Sequence, residues 1–375
     1  MLDSLRLVNF KSFKDQTIPL CLLTLLAGLN GMGKSTALQS LLVLRQSYRQ
    51  GVLKSEPEET TGLILNGELV ALGTGQDVLF SEAETDEIKI AVTFDSLGST
   101  EWTFAYDRQA DVLTHLDTRS SLNIYETSLF TDTFHYLKAE RLGPRTAFNM
   151  SDFLVREQHQ MGTQGEFTAH FLQTYRNIEV NASLRHPKQS APSLYDQVIA
   201  WMREVSPGTV LHLDSYEEMD MMRLSFGFER PDTIGDIRYY RATNVGFGLT
   251  YTLPIVVALL ASQPGALIIL ENPEAHLHPR GQSQIGDLIA RAASVGIQVI
   301  LETHSDHILN GIRVAVNRGI VAPDQVALHF FQRPQDDSES KGVELVTPQL
   351  DKKGRLDFWP NNFFDEWDKS LDELL

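Results

Sequence analysis

Residues 28–35 read Gly-Leu-Asn-Gly-Met-Gly-Lys-Ser and fill the pattern G-x-x-x-x-G-K-[ST] with Gly28, Gly33, Lys34 and Ser35. Glycines at these places let backbone N–H groups turn inward on phosphate oxygens, and the start of a following helix favours their negative charge. Lys34 is expected to reach the β- and γ-phosphates of a nucleoside triphosphate, and Ser35 to offer its hydroxyl to Mg²⁺. Asn30, Gly31, Gly33 and Thr36 are expected in the same cradle.

Three further groups lie far along the chain. Ala266 to Leu270 is an apolar run that ends in Glu271-Asn272-Pro273-Glu274. A buried strand of this kind, a Walker B strand, delivers a carboxylate to its tip. Glu271 is expected to hold Mg²⁺ directly or through water, and Glu274 to orient and deprotonate the attacking water. The plainer readings are a solvent-facing strand-end acid for Glu271 and a helix N-terminal charge for Glu274. Gln298 to Leu301 is a second apolar stretch, and Thr303-His304-Ser305 follows its end. There His304 is expected to donate a hydrogen bond to the γ-phosphate or to the attacking water. The stretch Arg241-Ala242-Thr243-Asn244-Val245-Gly246-Phe247-Gly248 opens a helix and makes a second anion site, with Asn244, Gly246 and Gly248 as its contact residues. It cannot easily serve the nucleotide held by Gly28 to Ser35, so a nucleotide held by another copy is its expected ligand. His276 and His278 flank Leu277, but residues two apart share no helix face, so metal ligation is not expected there. His278 is placed at a dimer seam instead.

The elements that must position these residues are legible in outline. Leu20 to Ala27 before the loop reads as a strand, and Thr36 to Gln46 after it as a helix. Leu5 to Phe10 alternates like a half-buried strand, and Gly62 to Val70, Glu87 to Phe94 and Trp102 to Tyr106 read as strands with the spacing of an antiparallel meander. Phe134 to Lys138 is another short strand. Residues 150–205 are polar and mostly helical in pattern, with a loop at Arg185 to Pro192, and Val210 to Leu213 and Met222 to Phe228 after them read as strands. From Leu249 the chain alternates helix and strand: Leu249 to Ala261, Ala266 to Leu270, Gln282 to Ser294, Gln298 to Leu301. That alternation argues a parallel sheet. Ala327 to Phe331 and Val343 to Val346 read as a late hairpin across a charged loop at Arg333 to Lys341, and the tail from Phe358 as a short surface helix.

With 375 residues, 42% of them hydrophobic, the chain can bury a large α/β core. A net charge of −17 argues against broad, non-specific nucleic-acid binding, which depends on many Lys/Arg–phosphate contacts. The one cysteine, Cys21, has no partner for an internal disulfide and is expected as a buried thiol. Ser262-Gln263-Pro264-Gly265 breaks the only long apolar stretch, Tyr251 to Leu270, into halves too short to cross a bilayer. A soluble, cytoplasmic protein with no membrane partner is expected.

The order of these pieces resembles an ABC-type ATPase head of the RecF, SMC and OLD-like branch. Leu7-Val8-Asn9-Phe10-Lys11-Ser12-Phe13 is similar to that branch's first strand. Glu271 to Pro279 and the tail Phe358 to Glu366 are similar to small bacterial AAA-family ATPases, many of them from anti-phage defence systems. The resemblance covers both ends of the chain and not residues 145–235. It implies an α/β P-loop NTPase of ABC-ATPase type, with a central mostly parallel sheet, an N-terminal antiparallel meander and an inserted, mainly helical lobe. The expected segments are 1–145 and 236–375 as the two ATPase lobes and 146–235 as the insertion. The resemblance further implies ATP and Mg²⁺ as cofactors and a head-to-tail homodimer around two ATPs, open to higher oligomers. It also places Gln76 at Mg²⁺ or the lytic water, where a plain turn residue is the even alternative. Two departures stand out. The signature lacks the usual Leu-Ser-Gly-Gly, and Asn272 occupies the place where a catalytic Glu usually follows the Walker B acid. The leading expectation is an ATPase that switches a separately encoded effector such as a nuclease or toxin. The alternatives are a DNA-repair-type ATPase, which the charge disfavours, and an ATP-binding scaffold with little turnover.

Overall fold

The computed structural model describes all residues except 54–60, 96, 120–122, 230–236, 335–341, 362 and 375, and only the backbone at 366–369. In chain order the described residues form β1 (Leu2–Phe10), β2 (Phe13–Pro19), β3 (Leu23–Gly28), α1 (Lys34–Arg49), β4 (Gly62–Ile64), α2 (Gly75–Val78), β5 (Glu87–Phe94), β6 (Gly98–Ala105), β7 (Val112–Arg119) and β8 (Phe134–Leu137). There follow β9 (Phe148–Asn149), α3 (Thr168–Thr174), α4 (Leu194–Val205), β10 (Thr209–Tyr216), β11 (Met221–Phe228), β12 (Tyr239–Arg241), α5 (Phe247–Ala261) and β13 (Leu267–Glu271). The chain closes with α6 (Pro279–Ser294), β14 (Gln298–Glu302), α7 (Asp306–Asn317), β15 (Val326–Gln332), β16 (Glu344–Val346) and α8 (Glu366–Leu374). It divides into two compact units: Met1–Thr131 with Val326–Gln349 and Leu356–Leu375, and Asp132–Gln325 with Leu350–Arg355.

In the first unit an antiparallel sheet runs in the order β2-β1-β5-β6-β7-β4. β5 alternates half-buried Glu87, Lys89 and Thr93 with buried Ile88, Ile90, Val92 and Phe94, the period-2 pattern of a strand with one face on a core. The expected antiparallel sheet is present, but not as a simple succession: β4 lies at the far edge beside β7 rather than next to β5, and β1 stands between β2 and β5. β3 pairs in parallel with β15, and β15 pairs antiparallel with β16, so the late hairpin is also found. Helix α1 covers its core with Leu38, Leu41, Leu42 and Leu44. Its Arg45 is buried too, and donates to the carbonyls of Leu129 and Thr131 at 2.7 and 2.9 Å.

In the second unit β13 pairs in parallel with β14 on one side and β8 on the other. Leu267 to Leu270 have no exposed surface. That continuous apolar run is what a parallel strand covered on both faces demands. Leu249 to Leu260 of α5 are all buried, so this helix is apolar all round. α6 and α7 cross where a Cβ on Gly286 would stand 2.4 Å from the Ile308 carbonyl oxygen and one on Gly311 2.2 Å from that of Ser283. The segment 146–235 contributes α3, α4 and the β10–β11 hairpin, with β12 and β9 on β11. No helix is long and apolar enough to cross a membrane, among the described residues.

Several local expectations need correction. Gly62 to Val70 is not one strand: only Gly62–Ile64 pairs with β7. The Asn66 side chain then bonds both the N–H and the carbonyl of Gly73, satisfying a turn where a ladder was expected. β7 itself, with mixed polar and exposed residues, carries too little apolar signal to be found from sequence. Cys21 is half-buried rather than buried, because it precedes β3 in a turn stitched to Thr24. Most of the charged loop at Arg333 to Lys341 lies outside the described residues.

Candidate active site

The phosphate loop leaves the end of β3 in the first unit. Gly28 has φ +139°, and a Cβ there would stand 2.3 Å from the Phe331 carbonyl oxygen, so both backbone and space require glycine. Gly33, φ +96°, caps α1 and would press a Cβ to 2.8 Å from the Phe13 ring. Gly31, φ +79°, meets nothing within 4 Å and stands exposed with Leu29 and Asn30. Lys34 is 3% exposed, its ammonium curled back on the loop to donate to the carbonyls of Gly28 and Leu29 at 2.8 and 2.9 Å. A cation held by two loop carbonyls, at a helix N-terminus with no acid in its first turn, suits an anion. Ser35 is exposed and Thr36 buried. In the same unit Gln76 is exposed on α2, whose start is fixed by a Thr74–Asp77 capping box, and its amide oxygen lies 3.4 Å from Arg108 Nε.

In the second unit Glu271 ends β13 with both carboxylate oxygens engaged. Oε1 accepts from the Tyr136 hydroxyl at 2.8 Å and Oε2 from the Ala139 N–H at 3.0 Å. Burial and the neighbouring Glu271 push the Tyr136 phenol far up, so it remains a donor. Asn272, at the place of the usual catalytic acid, has φ +45°. The left-handed region suits Asn and strains longer side chains, which is a physical reason for the departure. Its N–H donates to the Glu302 carbonyl at 2.9 Å, while its buried amide oxygen finds no donor among the described residues.

Glu274 is brought directly to the turn after β14. Its Oε2 accepts from the Thr303 hydroxyl at 2.7 Å and its Oε1 from the His304 N–H at 2.8 Å. The His304 side chain is exposed, and Ser305 behind it caps α7 by accepting from the Ile308 N–H. Gly246 caps α5, is exposed, and meets nothing within 4 Å of a built Cβ. Gly248 is different: a Cβ would stand 2.4 Å from the His276 carbonyl oxygen, so this glycine lets α5 lie against the turn after β13. Asn244 is exposed in the short helical turn before them. His278 caps α6, its Nδ1 accepting from the Arg280 N–H at 3.4 Å.

Sequence reasoning missed four residues of this neighbourhood. Tyr136 and Tyr251 are ordinary core aromatics in a linear reading. Arg141, 4% exposed, gave no signal, because a buried arginine is recognised only from its partners. Glu302 could have been found: it ends an apolar strand, is 7% exposed, and stands in register with Glu271. Hydroxyl, carboxylate and amide oxygens are the hard donors Mg²⁺ prefers, so Ser35 and Gln76 in the first unit and Glu271 in the second are each of a type that suits it.

Three protein-family models match the chain. Residues 1–186 match the AAA ATPase domain, residues 176–310 an AAA domain described as putative AbiEii toxin of a type IV TA system, and residues 321–374 a family of proteins of unknown function (DUF3696). No curated protein matches. Among solved structures, the SMC head bound to the C-terminal winged-helix domain of ScpA superposes with a TM-score of 0.55 at 15% identity, over 93% of this chain and 98% of that one. An SMC head with an extended coiled coil, bound to the C-terminal domain of ScpA derived from Pyrococcus furiosus, gives 0.52 at 13% identity, over 100% and 99%. At these identities the likeness is one of fold.

Proposed function

We propose that this chain, which matches AAA ATPase models over residues 1–186 and 176–310 and shares the fold of SMC heads, binds and hydrolyses ATP as a homodimeric switch for a partner protein. ATP supplies the triphosphate whose terminal bond is cleaved, and Mg²⁺ offsets its charge. Lys34, Gly31, Gly33 and the loop N–H groups bind the phosphates, with Asn30, Ser35 and Thr36 in the same cradle. Ser35, Glu271 and Gln76 are the proposed oxygen donors for the metal. Glu274 orients the attacking water, and His304, held by Glu274 through its N–H, senses the γ-phosphate.

The observation that carries the dimer is the open start of α5. Gly246 is exposed with nothing near it, while the neighbouring Gly248 is closed against His276. An uncovered helix N-terminus flanked by Asn244 offers N–H donors to the phosphates of a nucleotide held by a second copy. The segment 146–235 or the tail would carry the state to a separately encoded effector such as a nuclease or toxin. An anti-phage role is in keeping with the toxin-system description of the model matching residues 176–310.

Gly246→Asp tests the dimer, with Lys34→Ala as the binding control. The wild type is expected to associate on ATP and turn it over in sizing and phosphate-release assays. Lys34→Ala should lose nucleotide binding, and Gly246→Asp should bind ATP as a monomer with at least ~100-fold lower turnover. Normal association of Gly246→Asp would overturn the sandwich. One observation favours a second reading, an ATP-held scaffold with little turnover: Asn272 cannot act as a base, and both Glu274 oxygens already accept hydrogen bonds.

A further inference from the structure

The start of α5 and the tail of β13 are tied together through one buried tyrosine. Tyr251 lies one turn into α5, and its hydroxyl donates to the Ala139 carbonyl at 2.7 Å while accepting from the Arg141 N–H at 3.0 Å. Ala139 is the residue whose N–H holds Oε2 of Glu271. Arg141 then grips the same acid from behind: Nη1 donates to the Glu271 carbonyl at 2.7 Å and Nη2 to that of Asn272 at 2.8 Å. Its Nε donates to the Tyr251 carbonyl at 3.1 Å, and its guanidinium lies 4.6 Å over the Tyr251 ring. Burial lowers the Arg141 pKa only to about 10, so the group remains a cation with fixed donors at neutral pH.

The other end of Tyr251 faces the signature. Its ring packs 5.3 Å from Phe247 and edge-on, 4.8 Å, to His276. Phe247 is 44% exposed and sits between the open Gly246 and the closed Gly248. A contact at Gly246 therefore pushes on Phe247, and Phe247 rests on Tyr251. Tyr251 in turn fixes the segment 139–141, whose groups set both the carboxylate and the backbone of Glu271. Two tight packings leave little slack: Gly143 would press a Cβ to 2.6 Å from the Phe247 ring, and Gly248 approaches His276 as described. Stiff, fully bonded chains of this kind transmit a displacement rather than absorb it.

We propose that Tyr251 is a positioning residue that makes the Glu271 carboxylate respond to contact at the Gly246 end of α5. The inference rests on the reading above, in which Glu271 holds Mg²⁺ and Gly246 meets a second copy's nucleotide. It adds that association of two copies tunes the metal affinity of each copy's own Walker B acid.

The test is the Mg²⁺ affinity of the ATP-bound protein, read directly by Mn²⁺ electron paramagnetic resonance with Mg²⁺ competition and in parallel by the Mg²⁺ dependence of turnover, below and above the protein concentration at which copies associate. In the wild type the Mg²⁺ midpoint for binding should fall at least threefold on association. Tyr251→Phe should still bind ATP and associate, but its Mg²⁺ midpoint should not move on association, and its kcat should fall about tenfold with KM for ATP little changed. Phe247→Ala, a surface change that opens no buried hydrogen bond, should lose the same response and guards against a folding defect in Tyr251→Phe. Tyr136→Phe removes a donor to Glu271 without touching α5; it should raise the midpoint at every protein concentration and keep the response. A wild-type midpoint that ignores association, or variants that retain the full shift, would overturn the coupling alone. A wild type that neither associates on ATP nor hydrolyses it would overturn the underlying reading as well.

Discussion

At the scale of single residues, the informative departure is Asn272. The backbone there is left-handed, held by the Glu302 carbonyl on one side and by Arg141 on the other. Restoring the familiar acid should therefore fail. Asn272→Glu is expected to cost about 1 kcal/mol of stability from the left-handed conformation and to leave turnover no higher, as thermal melts and phosphate release would show. Glu274 poses the converse question, because its carboxylate both holds the turn after β14 and is the proposed base. Thr303→Val removes one hydrogen bond to it and is expected to slow turnover about tenfold. Glu274→Gln removes the base and should cost at least about 100-fold. Equal losses in the two variants would assign Glu274 to holding the turn and favour the scaffold reading. The identity and spacing of these residues are legible in the sequence. It could not give the φ of Asn272 or the two partners of Glu274, since both arise from packing between strands about 30 residues apart.

At the scale of elements, the two glycines at the start of α5 stand in different surroundings that their spacing does not reveal. Gly248→Ala forces a methyl against the His276 carbonyl, and overpacking of that kind costs about 1–3 kcal/mol. A drop of several degrees in melting temperature is the expected result. Gly246→Ala meets open space and an ordinary negative φ, so its melting temperature should match the wild type while ATP-dependent association weakens. A stable Gly248→Ala would mean that α5 and the β13 turn are not pressed together as described. Elements were legible where the pattern was pure. β13, β14 and α5 announced themselves as unbroken apolar runs, and β5 as a clean alternation. β7 and the stretch after β4 were not legible, because half-exposed strands and side-chain-bonded turns carry almost no periodic signal.

At the scale of the whole molecule, acid should destabilise the fold before its carboxylates titrate. His329 is fully buried between the Pro19 carbonyl and the Thr347 hydroxyl, and burial pushes its pKa below the ordinary histidine value. His170 and His186 are shifted the same way by the same cause. With folded values below the unfolded ~6.5, the unfolded chain takes up protons first as pH falls. Their contribution is intact above that pH and is lost as pH drops through and below it. Melting temperature is expected to fall between pH 7.5 and 5.5, less steeply in His329→Gln; an unchanged slope would remove His329 from the account. Relief of the −17 charge acts in the opposite sense, but carboxylates titrate mostly nearer pH 4. By itself the sequence determined the phosphate loop, the order of its companion motifs and the α/β class, because glycine spacing and apolar periodicity are local properties of the chain. Only the tertiary structure decided that Gly248 is a packing residue, that Glu274 holds the Thr303–His304 turn, and that Arg141 and Tyr251 tie α5 to the end of β13 at Glu271. Those are contacts between segments as much as 130 residues apart, and no local pattern encodes which distant carbonyl a buried arginine will find.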